Sequence, residues 1–85
     1  MTDGAAGSAM RAVVEVVARA LVDRPDAVQV TESLRRGMTV VELSTAPGDM
    51  GKIIGRQGRT AAALRTLVSL AAEQTGTRAQ LDIRD

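Results

Sequence analysis

The chain has 85 residues with a formal net charge of +1, and 45% of them are hydrophobic, which fits one small globular domain. It contains no Cys and no His, so disulfides, His/Cys zinc sites, Ser-His triads and imidazole acid–base catalysis are all excluded. It also lacks Phe, Trp and Tyr, which excludes a site that stacks bases on aromatic rings.

The N-terminal part predicts a tail followed by a helix. Residues 1–7 are small and Gly-rich and are expected to form a flexible tail. Ser8 is a candidate N-cap for a helix over residues 9–23, which Pro25 ends. An apolar stripe at helical spacing is expected to face the core, formed by Met10, Val13, Val14, Val17, Ala18 and Leu21. The opposite face carries side chains that can pair along the helix, namely Arg11, Glu15 and Arg19.

Two strands are expected next. Val28 and Val30 alternate with polar neighbours and predict a short strand, and Arg35-Arg36-Gly37 is typical of a turn. Residues 39–45 are rich in β-branched side chains and predict a second strand, antiparallel to the first. Its apolar face carries Val41 and Leu43, and its polar face Glu42 and Ser44. The two arginines are interpreted as a polar turn, with a second contact patch as the alternative.

The second half predicts two helices and a last strand. Pro47-Gly48 ends the second strand, Asp49 is a candidate cap for a short helix over residues 50–54, and Gly55 can end that helix in a left-handed conformation. A longer helix follows over residues 59–74 and is closed by Gly76. Alternating Ala79, Leu81 and Ile83 predict the last strand.

The order of elements predicts the topology. The second and last strands flank a helical crossover, so they should run parallel with a right-handed connection. The chain is therefore expected to be an α+β domain of order α-β-β-α-α-β, with three helices on one face of a three-stranded mixed sheet.

The loop between the last two helices concentrates positive charge. Residues 50–72 contain no acidic residue and four basic ones, Lys52, Arg56, Arg59 and Arg65, although Arg65 lies farther along the helix and is interpreted as a solvated side chain. Gly55 and Gly58 bracket the tip and let a ligand backbone approach closely. Since a helix begins directly afterwards, its free N–H groups and dipole favour an anion. A P-loop is excluded because Ile53 replaces the required Ser or Thr.

The segment Ile54-Gly55-Arg56-Gln57-Gly58 resembles the I-G-x-x-G core of the KH domain. The longer run DMGKIIGRQGRTAAALRTLV is similar to short bacterial single-KH proteins of the KhpA (YlqC) family, and the resemblance covers residues 8–84. It implies a type II KH fold, with one KH domain over residues 8–85 after the tail of residues 1–7. KH domains often carry a large aliphatic side chain where this chain has Ala61, which implies a shallower groove.

By resemblance, the chain is expected to be a non-enzymatic protein that binds single-stranded RNA, as an RNA chaperone or post-transcriptional regulator. The expected RNA-binding residues are Lys52, Ile53, Ile54, Gly55, Arg56, Gln57, Gly58 and Arg59, where one isoleucine must also belong to the core. The alternatives are a protein-interaction adaptor and a ribosome-assembly factor. The resemblance also implies a homodimer, or a heterodimer with a larger KH-containing protein of the KhpB/Jag type. A cytoplasmic protein without cofactor, metal or membrane segment is expected.

Overall fold

The computed structural model describes the backbone of residues 2–84 and the side chains of residues 9–84. Its elements follow the predicted order. The helices are α1 (Thr2–Leu21), α2 (Met50–Ile54) and α3 (Arg59–Gln74), and the strands are β1 (Gln29–Arg35), β2 (Met38–Ser44) and β3 (Arg78–Arg84). Short 3-10 turns at Pro25–Ala27 and Arg56–Gly58 precede β1 and α3.

The three strands form one mixed sheet in the order β1-β2-β3. β1 and β2 pair antiparallel, and β2 pairs with β3 in parallel, as the crossover predicted. Because β3 starts beside the start of β2, the crossover must return to that end of the sheet before β3 can begin. α3 therefore runs from the end of the domain that carries its first residue, Arg59, back to the end where β1 and β2 are joined.

The core lies between the helices and one face of the sheet. On β2, Val41 and Leu43 are fully buried, whereas Glu42 and Ser44 point to the open face, as predicted. The long helices contribute an apolar side chain from each successive turn to the same core. Its helical members are Met10, Val14, Ala18, Val22, Ile53, Leu64, Val68 and Ala72. Within residues 2–84, no helix combines the length and apolar character that a membrane crossing requires.

The predicted bounds of the first helix are wrong at both ends. α1 begins at Thr2, not at residue 9 after Ser8, and it ends at Leu21, two residues before the predicted end. Its buried stripe also turns slightly relative to the prediction. Val22 is buried, whereas Val13 and Leu21 are more than a third exposed. On the outer face, Arg19 pairs with Glu15 at 3.1 Å, in agreement with the predicted pairing.

The hairpin is tighter than its sequence predicted. β1 reaches Arg35, which pairs with Met38, so the turn consists of Arg36 and Gly37 alone. Both residues have positive φ, 52° and 78°, which is the backbone that a two-residue hairpin requires. Arg35 is thus a strand residue and not a turn residue, because cross-strand pairing extends β1 through a polar segment.

The C-terminal end of α3 closes as predicted at Gly76, with φ of 70°. Thr75 is the C-cap residue. The N–H of Gly76 donates to the carbonyl of Glu73, and that of Thr77 to the carbonyl of Ala72. These two bonds form a Schellman motif, which satisfies the last carbonyls of the helix and turns the chain into β3.

Candidate nucleic-acid interface

The loop Gly55-Arg56-Gln57-Gly58 has a backbone with three positive φ angles. They occur at Gly55 (75°), Gln57 (59°) and Gly58 (73°). The N–H of Gly55 donates to the carbonyl of Gly51 at 2.9 Å, and the N–H of Gly58 donates to the carbonyl of Gly55 at 3.1 Å. The loop is therefore a hydrogen-bonded turn with a defined shape. Both glycines have the predicted positive φ, but Gly55, with ψ of 174°, does not have the left-handed conformation that was predicted for it.

The two glycines have different reasons to be glycine. Gly55 combines its positive φ with ψ of 174°, a region that is essentially restricted to glycine. A Cβ at this position would collide with the side chain of Thr60 and lie 2.8 Å from its Cβ atom. Gly58 has the ordinary left-handed conformation, and a Cβ there would meet no atom within 4 Å. Gly55 is thus required by close packing, and Gly58 by its backbone conformation alone.

The tip of the loop presents groups that attract an anion. Arg56, Gln57 and Arg59 are all exposed. Gly58 is the N-cap residue of α3 and supplies no side-chain hydrogen bond, so the first N–H groups of this 16-residue helix receive no side-chain cap. Those N–H groups and the positive end of the helix dipole lie beside two guanidinium groups, which is a favourable site for a phosphate.

Arg59 is held at the loop by a contact with the tip. Its Nη2 atom donates a hydrogen bond to the Oε1 atom of Gln57 at 3.0 Å. This bond orients the guanidinium across the loop and leaves its other donors free to contact a ligand. The arrangement brings together Arg56, Gln57 and Arg59, three of the side chains predicted to bind RNA.

Lys52 has other partners. Its Nζ atom lies 3.2 Å from Oδ2 of Asp23 and 3.8 Å from Oδ1 of Asp49. The ammonium is therefore directed toward the end of α1 and the start of α2, and about two fifths of the side chain remains exposed. Lys52 was predicted to act with the cations of the loop because it lies three residues before Gly55, yet its ammonium is paired with two carboxylates.

Asp49 has a structural role other than the helix cap that was predicted for it. Among the described side chains it is the only charged one that is buried. It is the N-cap residue of α2 but forms no capping bond, and its Oδ2 atom instead accepts a hydrogen bond from the backbone N–H of Arg24 at 3.1 Å. The carboxylate thus joins the start of α2 to a segment 25 residues earlier, a contact that no local pattern indicates.

Of the two isoleucines before the loop, one is buried in the core and one is exposed, as expected. Ile53 is fully buried, so it is the isoleucine that belongs to the core, and its side chain presents no exposed surface to a ligand. Ile54 is 37% exposed beside the loop and can contact a ligand. Ala61, in the first turn of α3, is buried, and half-buried Thr60 packs against Gly55. The first turn of α3 after the glycine loop therefore carries small side chains at these two positions.

Comparison with known proteins identifies the family. The model of the KhpA/KhpB KH domain matches residues 11–83. A relative from Halalkalibacterium halodurans, named RNA-binding protein KhpA, is 51% identical over 89% of this chain and 100% of its own length. Proteins of the same name from Treponema pallidum and Aquifex aeolicus are 48% and 43% identical, covering 86% and 89% of this chain and 91% and 96% of their own lengths.

No solved structure matches the chain. The family match spans α1 to β3 and includes the whole glycine loop. Its element order is the one expected of a type II KH fold, and the family is non-enzymatic. Family match, relatives and topology agree, and the chain belongs to the KhpA/KhpB KH-domain family.

Proposed function

We propose that this protein binds single-stranded RNA and grips its backbone at the loop Gly55-Arg56-Gln57-Gly58. The observation that carries the proposal is the loop itself, where exposed Arg56 and Arg59 adjoin the N-terminus of α3, which has no side-chain cap. Phosphate is the anion that backbone N–H groups, a helix dipole and guanidinium groups bind together. The relatives named RNA-binding protein KhpA support the choice of RNA.

The proposed contacts follow from exposure and charge. Gly55 to Gly58 and Arg59 contact phosphate and sugar, and Ile54 contacts a base through its exposed side chain. Lys52 contributes at the edge of the site, since its ammonium is already paired with Asp23 and Asp49. KH domains clamp about four nucleotides in this way, so one module binds weakly and with low sequence selectivity.

The module proposed for this activity comprises residues 8–85, and residues 1–7 lie outside the KH domain. The family match over residues 11–83 supports these limits. Weak, broad binding by one module suits an RNA chaperone or a post-transcriptional regulator that acts in the cytoplasm. A ribosome-assembly factor would use the same RNA chemistry on a different target.

Self-association is part of the proposal, either with a second copy or with a larger KH protein of the KhpB/Jag type. The outer surfaces of α1 and α3 expose large aliphatic side chains, Val13, Val16, Leu67 and Leu70. Exposed aliphatic side chains of this size can be covered by a protein partner, and the same observation favours the alternative function of a protein-interaction adaptor. Sedimentation equilibrium at micromolar concentration should show a dimer, whereas a species of 8.9 kDa at all concentrations would contradict self-association.

Fluorescence anisotropy with a short single strand and with the hairpin duplex of the same sequence tests RNA binding. We expect the single strand to bind more tightly and the affinity to fall with salt, because the loop is a narrow site for unpaired nucleotides. Equal or tighter binding of the duplex would contradict the proposal. Binding to a protein partner without any salt-dependent RNA binding would favour the adaptor.

A further inference from the structure

The open face of the sheet has two arginines in one row. Arg35 of β1 pairs with Met38 of β2, and Met38 pairs with Arg78 of β3. Residues directly opposite in a sheet point to the same face. Met38 lies three positions before the core residue Val41 in β2, so its side chain points to the opposite face, away from the helices. The two arginines are therefore about 10 Å apart, on either side of a half-buried methionine.

A third arginine adjoins this row. Arg36 occupies the two-residue turn directly after Arg35, with φ of 52° and an exposed side chain. The tight turn fixes the backbone that carries it. Three guanidinium groups thus surround one end of the sheet, and we call Arg35, Arg36 and Arg78 the hairpin-end arginines.

Within residues 9–84, no carboxylate lies within 4.0 Å of a hairpin-end guanidinium as an ion-pair partner. The acids on the same face, Glu42 and Asp82, lie four residues farther along their strands, about 13 Å away. Glu42 is moreover paired with Arg84 at 3.0 Å. Glu73 lines a shallow cleft together with Arg78 but forms no ion pair with it.

The hairpin-end arginines and the glycine loop lie at opposite ends of the domain. α3 begins at the loop with Arg59 and runs back toward the start of β3, and its 16 residues span about 24 Å. A strand held at the loop over about four nucleotides leaves the loop along this length of the domain. Exposed Arg65 lies on α3 between the two sites, and a strand that continues past it reaches Arg78 at the far end of the domain, with Arg35 and Arg36 beyond it.

We propose that the hairpin-end arginines form a second contact surface for the phosphate backbone of single-stranded RNA, which lengthens the footprint beyond the nucleotides held by the glycine loop. The inference rests on the proposed function. Guanidinium groups are the side chains best suited to phosphate oxygens, which they bind through paired donors. Met38 between them offers an apolar surface for a base or ribose.

The test compares oligouridines of two lengths, roughly five and about 20 nucleotides, with the shorter one confined to the glycine loop. The variant is Arg35→Gln/Arg36→Gln/Arg78→Gln. The matched control is Arg11→Gln/Arg19→Gln/Arg24→Gln, which removes the same charge from exposed positions on and after α1. A longer strand offers more binding registers to all three proteins alike, so the comparison between proteins isolates the arginines.

Wild type and both variants should bind the short strand within about two-fold of one another. For the long strand, the hairpin-end variant should lose about five-fold in affinity at 0.1 M salt for each phosphate contact removed, with a salt slope shallower by about 0.7 per contact. Unchanged binding of the long strand, an equal loss on both strands, or an equal loss in the control would overturn the inference. If the wild type bound neither strand, the proposed function itself would be wrong.

Discussion

The Oδ2 atom of Asp49 accepts a hydrogen bond from the backbone N–H of Arg24 at 3.1 Å, and this partly buried bond ties the chain after α1 to the helix that precedes the glycine loop. The other carboxylate oxygen of Asp49 faces Lys52, whose ammonium also contacts Asp23. Asp49 therefore sets where α2 begins. Since α2 has only five residues, this also fixes the position of Gly55 at its end.

Replacing Asp49 by Ala should destabilise the domain by about 2 kcal/mol, because the N–H of Arg24 would lose a charged acceptor in a partly buried bond. Asp49→Asn keeps an oxygen acceptor of the same shape and should recover more than half of that loss. Urea denaturation of the wild type and both variants measures the difference. Equal destabilisation by Ala and Asn would show that the hydrogen bond to Arg24 is not the source of the stability.

Lys52→Gln and Arg56→Gln remove the same charge from neighbouring positions and should have different effects. Lys52→Gln breaks two partly exposed ion pairs and should lower the stability by less than about 1 kcal/mol, while Arg56→Gln leaves the stability unchanged. On RNA, Arg56→Gln should make the salt slope shallower by about 0.7, and Lys52→Gln should change it less. A larger change in slope for Lys52→Gln would identify Lys52 as the main phosphate ligand.

The two loop glycines should tolerate a methyl group unequally. Gly55→Ala forces a strained backbone and a collision with Thr60, which should cost about 2–4 kcal/mol. Gly58→Ala meets no neighbouring atom and should cost about 1–2 kcal/mol, the usual penalty for a left-handed residue with a Cβ. Thermal melting of both variants checks the order, and a greater loss for Gly58→Ala would contradict the close packing of Gly55 on Thr60.

The sequence predicted those parts of the fold that local patterns determine. Helix α2 and helix α3 have the predicted bounds, because Asp49, Gly55 and Gly76 are strong local signals at helix ends. The parallel pairing of β2 and β3 follows from the helical crossover alone. The glycine loop was likewise identified from its residues, since the spacing of Gly55 and Gly58 before a helix is rarely accidental.

The errors occur where distant contacts outweigh local preference. β1 was predicted as a short strand around Val28 and Val30, yet it begins at Gln29 and pairing with β2 extends it to Arg35 through polar residues. α1 continues to Thr2 through glycines that favour other conformations. Tertiary packing, which a single sequence does not reveal, determines the bond from Arg24 to Asp49 and the ion pairs of Lys52. It also determines that Ile53, rather than Ile54, is the buried isoleucine.

RNA binding by the variant Arg56→Asp/Gln57→Asp is the sharpest test of whether the glycine loop grips RNA. Both side chains are exposed, and Asp tolerates the left-handed backbone of position 57 better than Gln does, so the fold should survive within about 0.5 kcal/mol. The control Arg11→Asp/Gln29→Asp makes the same replacements at exposed positions away from the loop. Thermal melting establishes that all three proteins are folded before RNA is titrated at two salt concentrations. We expect the loop variant to lose RNA binding while the control retains it. A folded loop variant that binds RNA as tightly as the wild type, with the same salt slope, would show that the loop does not grip RNA.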